Sequence, residues 1–355
     1  MIYEGYLHII SLVLVCSISA MLVVISWFMV KRCGYLIIQK SLETRYNDFI
    51  SEIIVCESKE EVESFLMQQE ALSIRNKLLN KRFGRKVFIK ELVKARNNLT
   101  GVAAANLQFV YETFGLDQDS LRDFDSEKWF KKAAAIQQLS RLNQTQYLKR
   151  IYKETNNQNS LVRNEAQIAV VKLMGFPGLR FLNIINYPVT QWQQLCLLQQ
   201  LDDQDVDSGK MKEWLQSSNE CVVEFALRLI EKFKCYDLHQ IVIDLLRSTS
   251  ATVRQQALHC LKEIPEDNTV ALIVEVFREL SKSEKLQALE IIQEHGKQEQ
   301  LNFLTTLVHN SDESIRFHAL NTIEKISPAW RKMIEAKSIK NARVVFLDSP
   351  KKEIV

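Results

Sequence analysis

The longest apolar stretch of the chain is residues 7–30, LHIISLVLVCSISAMLVVISWFMV, 24 residues without a Lys, Arg, Asp or Glu. About 20 apolar helical residues cross a bilayer core, so this pattern predicts a membrane-spanning helix. A cleaved signal peptide would instead want a basic start and a shorter apolar core. Residues 1–6 carry no Lys or Arg. Glu4 stands on one side of the run, and Lys31, Arg32, Lys40 and Arg45 on the other. By the positive-inside rule the long C-terminal part lies in the cytoplasm, with a single pass through the inner (plasma) membrane. Trp27 and Tyr35 are placed as interfacial aromatics, and Gly34 is expected to loosen the exit.

After the run, Leu36, Ile37, Leu42, Tyr46, Phe49, Ile50, Ile53 and Ile54 keep helical spacing, which predicts a stalk. Residues 58–80 read as a second helix, opened by a Ser58–Glu61 capping box and striped by Val62, Phe65, Leu66, Leu72 and Leu79. Next comes a basic amphipathic helix. Arg75, Lys77, Lys81, Arg82, Arg85, Lys86, Lys90, Lys94 and Arg96 face only Glu91, and interleave with Val87, Phe88, Ile89, Leu92 and Val93. This patch is either a solvated helix face or a contact with the anionic cytoplasmic leaflet. Asn98-Leu99-Thr100-Gly101 breaks the helix, residues 102–114 resume it, and residues 117–126 read as an acidic loop.

From about residue 126 a repeat sets in. Ala226, Ala257, Ala288 and Ala319 are spaced by 31. Cys196 lies midway between Ala166 and Ala226, and Ala135 stands 31 before Ala166. Apolar residues flank each alanine on one helical face, as Val222, Ile230 and Phe233 flank Ala226. An amphipathic segment precedes each such helix. Each unit is thus a helical hairpin that buries its apolar face only by stacking on the next. The expected fold is all-α: an N-terminal transmembrane helix followed by an α-solenoid of about six to seven hairpins. The division expected is an anchor over 1–34, a juxtamembrane helical region over 35–125, the solenoid over 126–337 and a loose tail over 338–355.

Val253-Arg254-Gln255-Gln256-Ala257-Leu258 after Ser250-Ala251-Thr252, and Ile315-Arg316-Phe317-His318-Ala319-Leu320 after Asp312-Glu313-Ser314, resemble HEAT and HEAT-like repeats. The arginine is replaced by Gln193, Val223 and Lys285 in three units, which are expected to pack differently. The chain also resembles a group of bacterial proteins, typified in Bacteroidetes, with one N-terminal membrane helix and a cytoplasmic HEAT domain. The segments 99–101, 175–181 and 187–194 carry that likeness. It implies an accessory role beside a membrane glycosyltransferase.

Composition agrees with helices: Gly is 9 and Pro 5 of 355 residues. The seven cysteines form no CxxC pair and fit a reducing compartment. Net charge is +3, and no nucleic-acid-reading motif accompanies the basic patch.

Candidate chemistry is sparse. HEAT-like di-iron hydroxylases carry paired His-Glu steps, and no His-Glu dipeptide occurs; Glu294-His295 is the reverse order. The six histidines make no HxxxH or HExxH. Asp123-Phe124-Asp125, Asp203-Gln204-Asp205 and Asp205-Val206-Asp207 match a DxD pattern without a nucleotide-binding α/β context. No catalytic, cofactor or metal residue is assigned, and no enzyme activity, cofactor, nucleic acid or small-molecule substrate is expected. A surface remains. In HEAT solenoids the second helices line the concave side, where Arg228, Glu231, His259, Lys262, Glu290, Gln293, Asn321 and Glu324 offer mixed charge suited to a protein partner. The function expected is a membrane-anchored scaffold. The alternatives are a HEAT-like enzyme of metal-dependent or lyase type and a direct anionic-lipid-binding module.

Overall fold

The computed structural model describes residues 2–77, 79–201 and 206–333. Among them there is no β-strand. The chain divides into two compact units, Met1–Met174 and Gly175–Val355. The expected tail over 338–355 lies outside the described residues.

The first unit opens with α1 (Ile2–Val55), 54 residues long, the one described helix apolar and long enough to cross a membrane. It is unbroken at Gly34, where the sequence suggested a loosened exit. A Cβ at Gly34 would meet nothing within 4 Å, so no close approach requires the glycine. The far end of α1 is a core helix. Tyr46, Phe49, Ile50 and Ile53 are at most 3% exposed and pack with Phe88, Leu92, Leu107 and Phe114. Asn106 ends α1 by donating from its amide to the carbonyls of Ile53 (3.3 Å) and Cys56 (2.8 Å).

The helix expected over 58–80 is two: α2 (Lys59–Leu66) and α3 (Gln69–Lys77). Half of its capping box is present: the Ser58 hydroxyl accepts from Glu61 N at 3.2 Å, while the Glu61 carboxylate accepts from Glu57 N at 2.8 Å, one residue before the cap. At 100° per residue a straight helix would set Ala71 opposite Val62. The turn at Met67 and Gln68 brings both into one core. Then follow α4 (Arg82–Arg96), α5 (Gly101–Thr113) and α6 (Asp117–Phe124). The last replaces the expected acidic loop. Asp117 and Asp119 in its first turn favour the helix dipole, and Ser120 and Phe124 are buried beneath it.

Two hairpins complete the unit, α6 with α7 (Trp129–Arg141) and α8 (Leu148–Lys153) with α9 (Ser160–Met174). The second unit opens with a 3₁₀ helix (Phe176–Asn183) and α10 (Gln191–Leu198). Four hairpins follow: α11 (Ser208–Leu215) with α12 (Glu220–Phe233), α13 (His239–Asp244) with α14 (Ala251–Glu263), α15 (Thr269–Val276) with α16 (Lys282–His295), and α17 (Leu301–Leu307) with α18 (Glu313–Ile326). Within each unit successive second helices lie side by side, α7 on α9, and α12, α14, α16 and α18 in series. The repeat alanines Ala135, Ala166, Ala226, Ala257, Ala288 and Ala319 are all 0% exposed. Cys196 is only half-buried, and Gln193, Gln194 and Leu197 take the interior of α10 instead.

The repeat arginine has a visible task. Arg163 Nη1 donates to the carbonyls of Asn157 (2.7 Å) and Gln158 (3.3 Å). Arg254 does so to Ser248 (2.7 Å) and Thr249 (3.1 Å), and Arg316 to Asn310 (2.8 Å) and Ser311 (3.0 Å). Each satisfies carbonyls of the turn that joins the two helices of its hairpin.

Candidate partner-binding groove

In the second unit, the second helices carry polar residues two and five positions after each alanine. The fifth of one repeat reaches the second of the next. Glu231 Oε2 lies 3.0 Å from His259 Nδ1, and Gln256 donates to the same oxygen at 3.2 Å. One repeat on, Lys262 lies 3.8 Å from Glu290 and 2.9 Å from Glu294. Hydrogen bonding to Glu294 leads in holding the Lys262 ammonium above its usual pKa. Gln293 and Asn321 occupy the next pair of positions, half-buried and without such a bond. Glu324 turns instead to Arg331 at 3.8 Å.

Two adjoining cavities open on this face. One, of about 200 Å³, is lined by Gln191, Glu224, Arg228, Thr252, Gln255, Gln256, His259 and Gln287. The other, of about 190 Å³, is lined by Leu258, His259, Lys262, Glu263, Gln287, Glu290 and Ile291. His259 and Gln287 belong to both, so together they form a groove across the second helices. Of the residues expected on this face, Arg228, His259, Lys262 and Glu290 line it, Glu231 braces His259, and Gln293, Asn321 and Glu324 lie outside it. The glutamines and Glu224 are missing from the sequence reading. Gln191 opens α10; Glu224, Gln255, Gln256 and Gln287 stand one or two positions before the alanines, where a spacing argument centred on the following turns does not look.

Two groups of the groove lack internal partners. Arg228 forms no ion pair among the described residues, although Glu224 stands four residues before it on the same helix. Arg228 Nε and Gln287 Oε1 have no hydrogen-bond partner. Among the described residues, amides that both donate and accept, with the Arg228 guanidinium and the Glu224 carboxylate outside any ion pair, suit a polypeptide main chain with a charged side chain.

The basic residues of the first unit are mostly engaged. Arg85 Nε donates to Asp119 at 2.5 Å, and its Nη2 to the carbonyls of Phe114 (3.1 Å) and Gly115 (2.8 Å). Lys86 pairs with Asp123 at 2.8 Å, Lys90 with Glu43 at 3.0 Å and Lys94 with Glu91 at 3.5 Å. The Glu43 carboxyl is held below its usual pKa by hydrogen bonds from Gln39 and then Lys90. Arg96 donates to Leu99 O at 2.7 Å, and Arg75 lies 5.7 Å from the Phe114 ring centre. Arg82 reaches Asp123 only at 3.5 Å and is 58% exposed. Lys81 is exposed and has no ion pair among the described residues. The side chain of Lys77 lies outside the described ones.

Among the described residues no three His, Cys, Asp or Glu side chains gather as metal ligands would. Asp123 and Asp125 pair with Arg82, Lys86 and Arg150. Asp203, Gln204 and Asp205 lie outside the described residues.

No family model and no curated protein matches the sequence. Solved structures resemble it at low identity. A crystal structure of an engineered protein is 14% identical, covers 88% of this chain and 91% of its own, and has a TM-score of 0.31. Human deoxyhypusine hydroxylase in complex with glycerol is 14% identical, covers 75% of this chain and 99% of its own, and has a TM-score of 0.31. A second engineered protein is 17% identical, covers 67% and 97%, and has a TM-score of 0.28.

Proposed function

We propose that the protein is a membrane-anchored scaffold of HEAT-like hairpins whose groove takes an extended segment of a protein partner. The groove lined by Arg228, Gln255, Gln256, His259 and Gln287 carries this reading. Its amides offer donors and acceptors at successive repeats, the arrangement a main chain in extended form requires. Lys31, Arg32, Lys40 and Arg45 favour an inner-membrane span with the hairpins in the cytoplasm. The likeness to Bacteroidetes proteins with a membrane helix and a HEAT domain favours a membrane glycosyltransferase as the partner.

Affinity capture of the full chain from detergent extracts, after cross-linking, tests the proposal. A stoichiometric partner is expected, lost with Arg228→Glu plus Gln256→Ala and kept with Lys212→Glu, an exposed change outside the groove. Replacing a central arginine of an interface costs at least about 2 kcal/mol, some thirtyfold in affinity. Equal capture by all three chains would sink the groove.

A further inference from the structure

The span and the first unit share one helix, and that fixes which part of the unit stands level with the lipid surface. α1 and α4 lie side by side and run in the same direction. Tyr35 meets Phe83 with ring centres 4.7 Å apart, Glu43 meets Lys90 at 3.0 Å, and Tyr46 meets Phe88 at 4.9 Å. The two ring pairs step forward on both helices, from Tyr35 with Phe83 to Tyr46 with Phe88, so the beginning of α4 points toward the span. The apolar run ends at Val30, and Tyr35 lies five residues later, about 8 Å along the helix axis. The headgroup layer is about 5–8 Å deep on each side of the hydrocarbon. The start of α4 therefore stands at the outer edge of that layer.

At this level and up to about 5 Å beyond it along the helix axis, cationic and apolar groups are uncovered together. Leu36, Ile37 and Ile38 are 50%, 70% and 57% exposed. Among the described residues Lys81 is exposed and without an ion pair, and Arg82 has only its long contact with Asp123. Further along α4 the cations are taken up by Asp119, Asp123, Glu43 and Glu91.

We propose that Leu36, Ile37, Ile38, Lys81 and Arg82 form a docking face that seats the first unit on the anionic headgroups of the bilayer its own helix crosses. The proposal rests on reading residues 7–30 as a span. Two features select lipid as the occupant: the face continues the span without a break, and its charge is unbalanced and positive. Apolar side chains enter the interface while the cations meet lipid phosphates.

The test is amide hydrogen exchange of the full chain in nanodiscs of phosphatidylcholine, with and without phosphatidylglycerol. Slower exchange over 79–85 is expected only with the anionic lipid. Each cation near such a surface is worth about fivefold in occupancy, so Lys81→Gln with Arg82→Gln lowers the docked-to-free ratio about thirtyfold. Lys90→Gln, whose ammonium is tied to Glu43, leaves the protection in place. Exchange equal in both lipids overturns the proposal, and so does protection independent of headgroup, the mark of a partner helix covering the apolar residues. Failure of the span reads differently: the chain then leaves membranes at alkaline pH and does not enter nanodiscs, which overturns both readings.

Discussion

Arg254 has two tasks that Arg316 does not combine. Both tie down turn carbonyls, but Arg254 also holds Glu284, from Nε at 3.0 Å and Nη2 at 2.9 Å. Glu284 is 0% exposed and closes the capping box of α16 with Ser281. Arg316→Ala removes hydrogen bonds near solvent, and a loss of about 1–2 kcal/mol is expected. Arg254→Ala also strands a buried carboxylate and is expected to cost about 3 kcal/mol, partly restored by Glu284→Gln. Urea unfolding of the single and double variants measures the difference. His239 supplies a pH dependence. It is 2% exposed, bonded to Thr269 Oγ1 at 2.7 Å, and burial lowers its pKa below 6.5 against a smaller opposing pull from Glu266. The unfolded chain therefore binds the proton more readily. Stability is full above the unfolded pKa and falls as pH drops from there through the folded one. The urea midpoint should decline on acidification below about pH 6.5, and His239→Gln should flatten that decline.

At the scale of elements, α1 joins two roles that the sequence reading separated at residue 34. A chain beginning at residue 39 keeps Tyr46, Phe49, Ile50 and Ile53, and its first unit is expected to fold. A chain beginning at residue 56 lacks all four. Burying each such side chain contributes about 1.5–3 kcal/mol, so its first unit should lose cooperative melting by circular dichroism. The repeat helices were legible in the sequence because one buried alanine recurs every 31 residues with apolar neighbours on its own face. The helix α6 was not legible as a helix. Its acidic side chains balance Arg82, Arg85 and Lys86, which lie 34 to 41 residues earlier, and a local window reads only the uncompensated charge. The break at Met67 and the inward face of α10 escaped for a related reason. No Gly or Pro marks the first, and in the second buried glutamines replace the expected apolar face. Half of the expected groove residues line it, since spacing locates a helix face but not the depth of each side chain.

For the molecule as a whole, two compact units and seven free cysteines bear on handling and stability. Cys235 and Cys260 are buried, and burial pushes both thiols above their usual pKa. Thiolates are the reactive form, so these two should resist maleimide until the second unit unfolds, while exposed Cys33 reacts at once. Reductant should leave the melting temperature unchanged, because no disulfide joins the described residues. Mass spectrometry of labelled peptides along a urea series checks both expectations.

The uninterrupted α1 has a mechanical corollary. A rod without a joint cannot tilt at one end and stay upright at the other. On the proposed span, bilayer thinning or a crowded neighbour that leans α1 leans the aromatic cluster gripping its far end, and the orientation of the first unit becomes a gauge of the membrane around it.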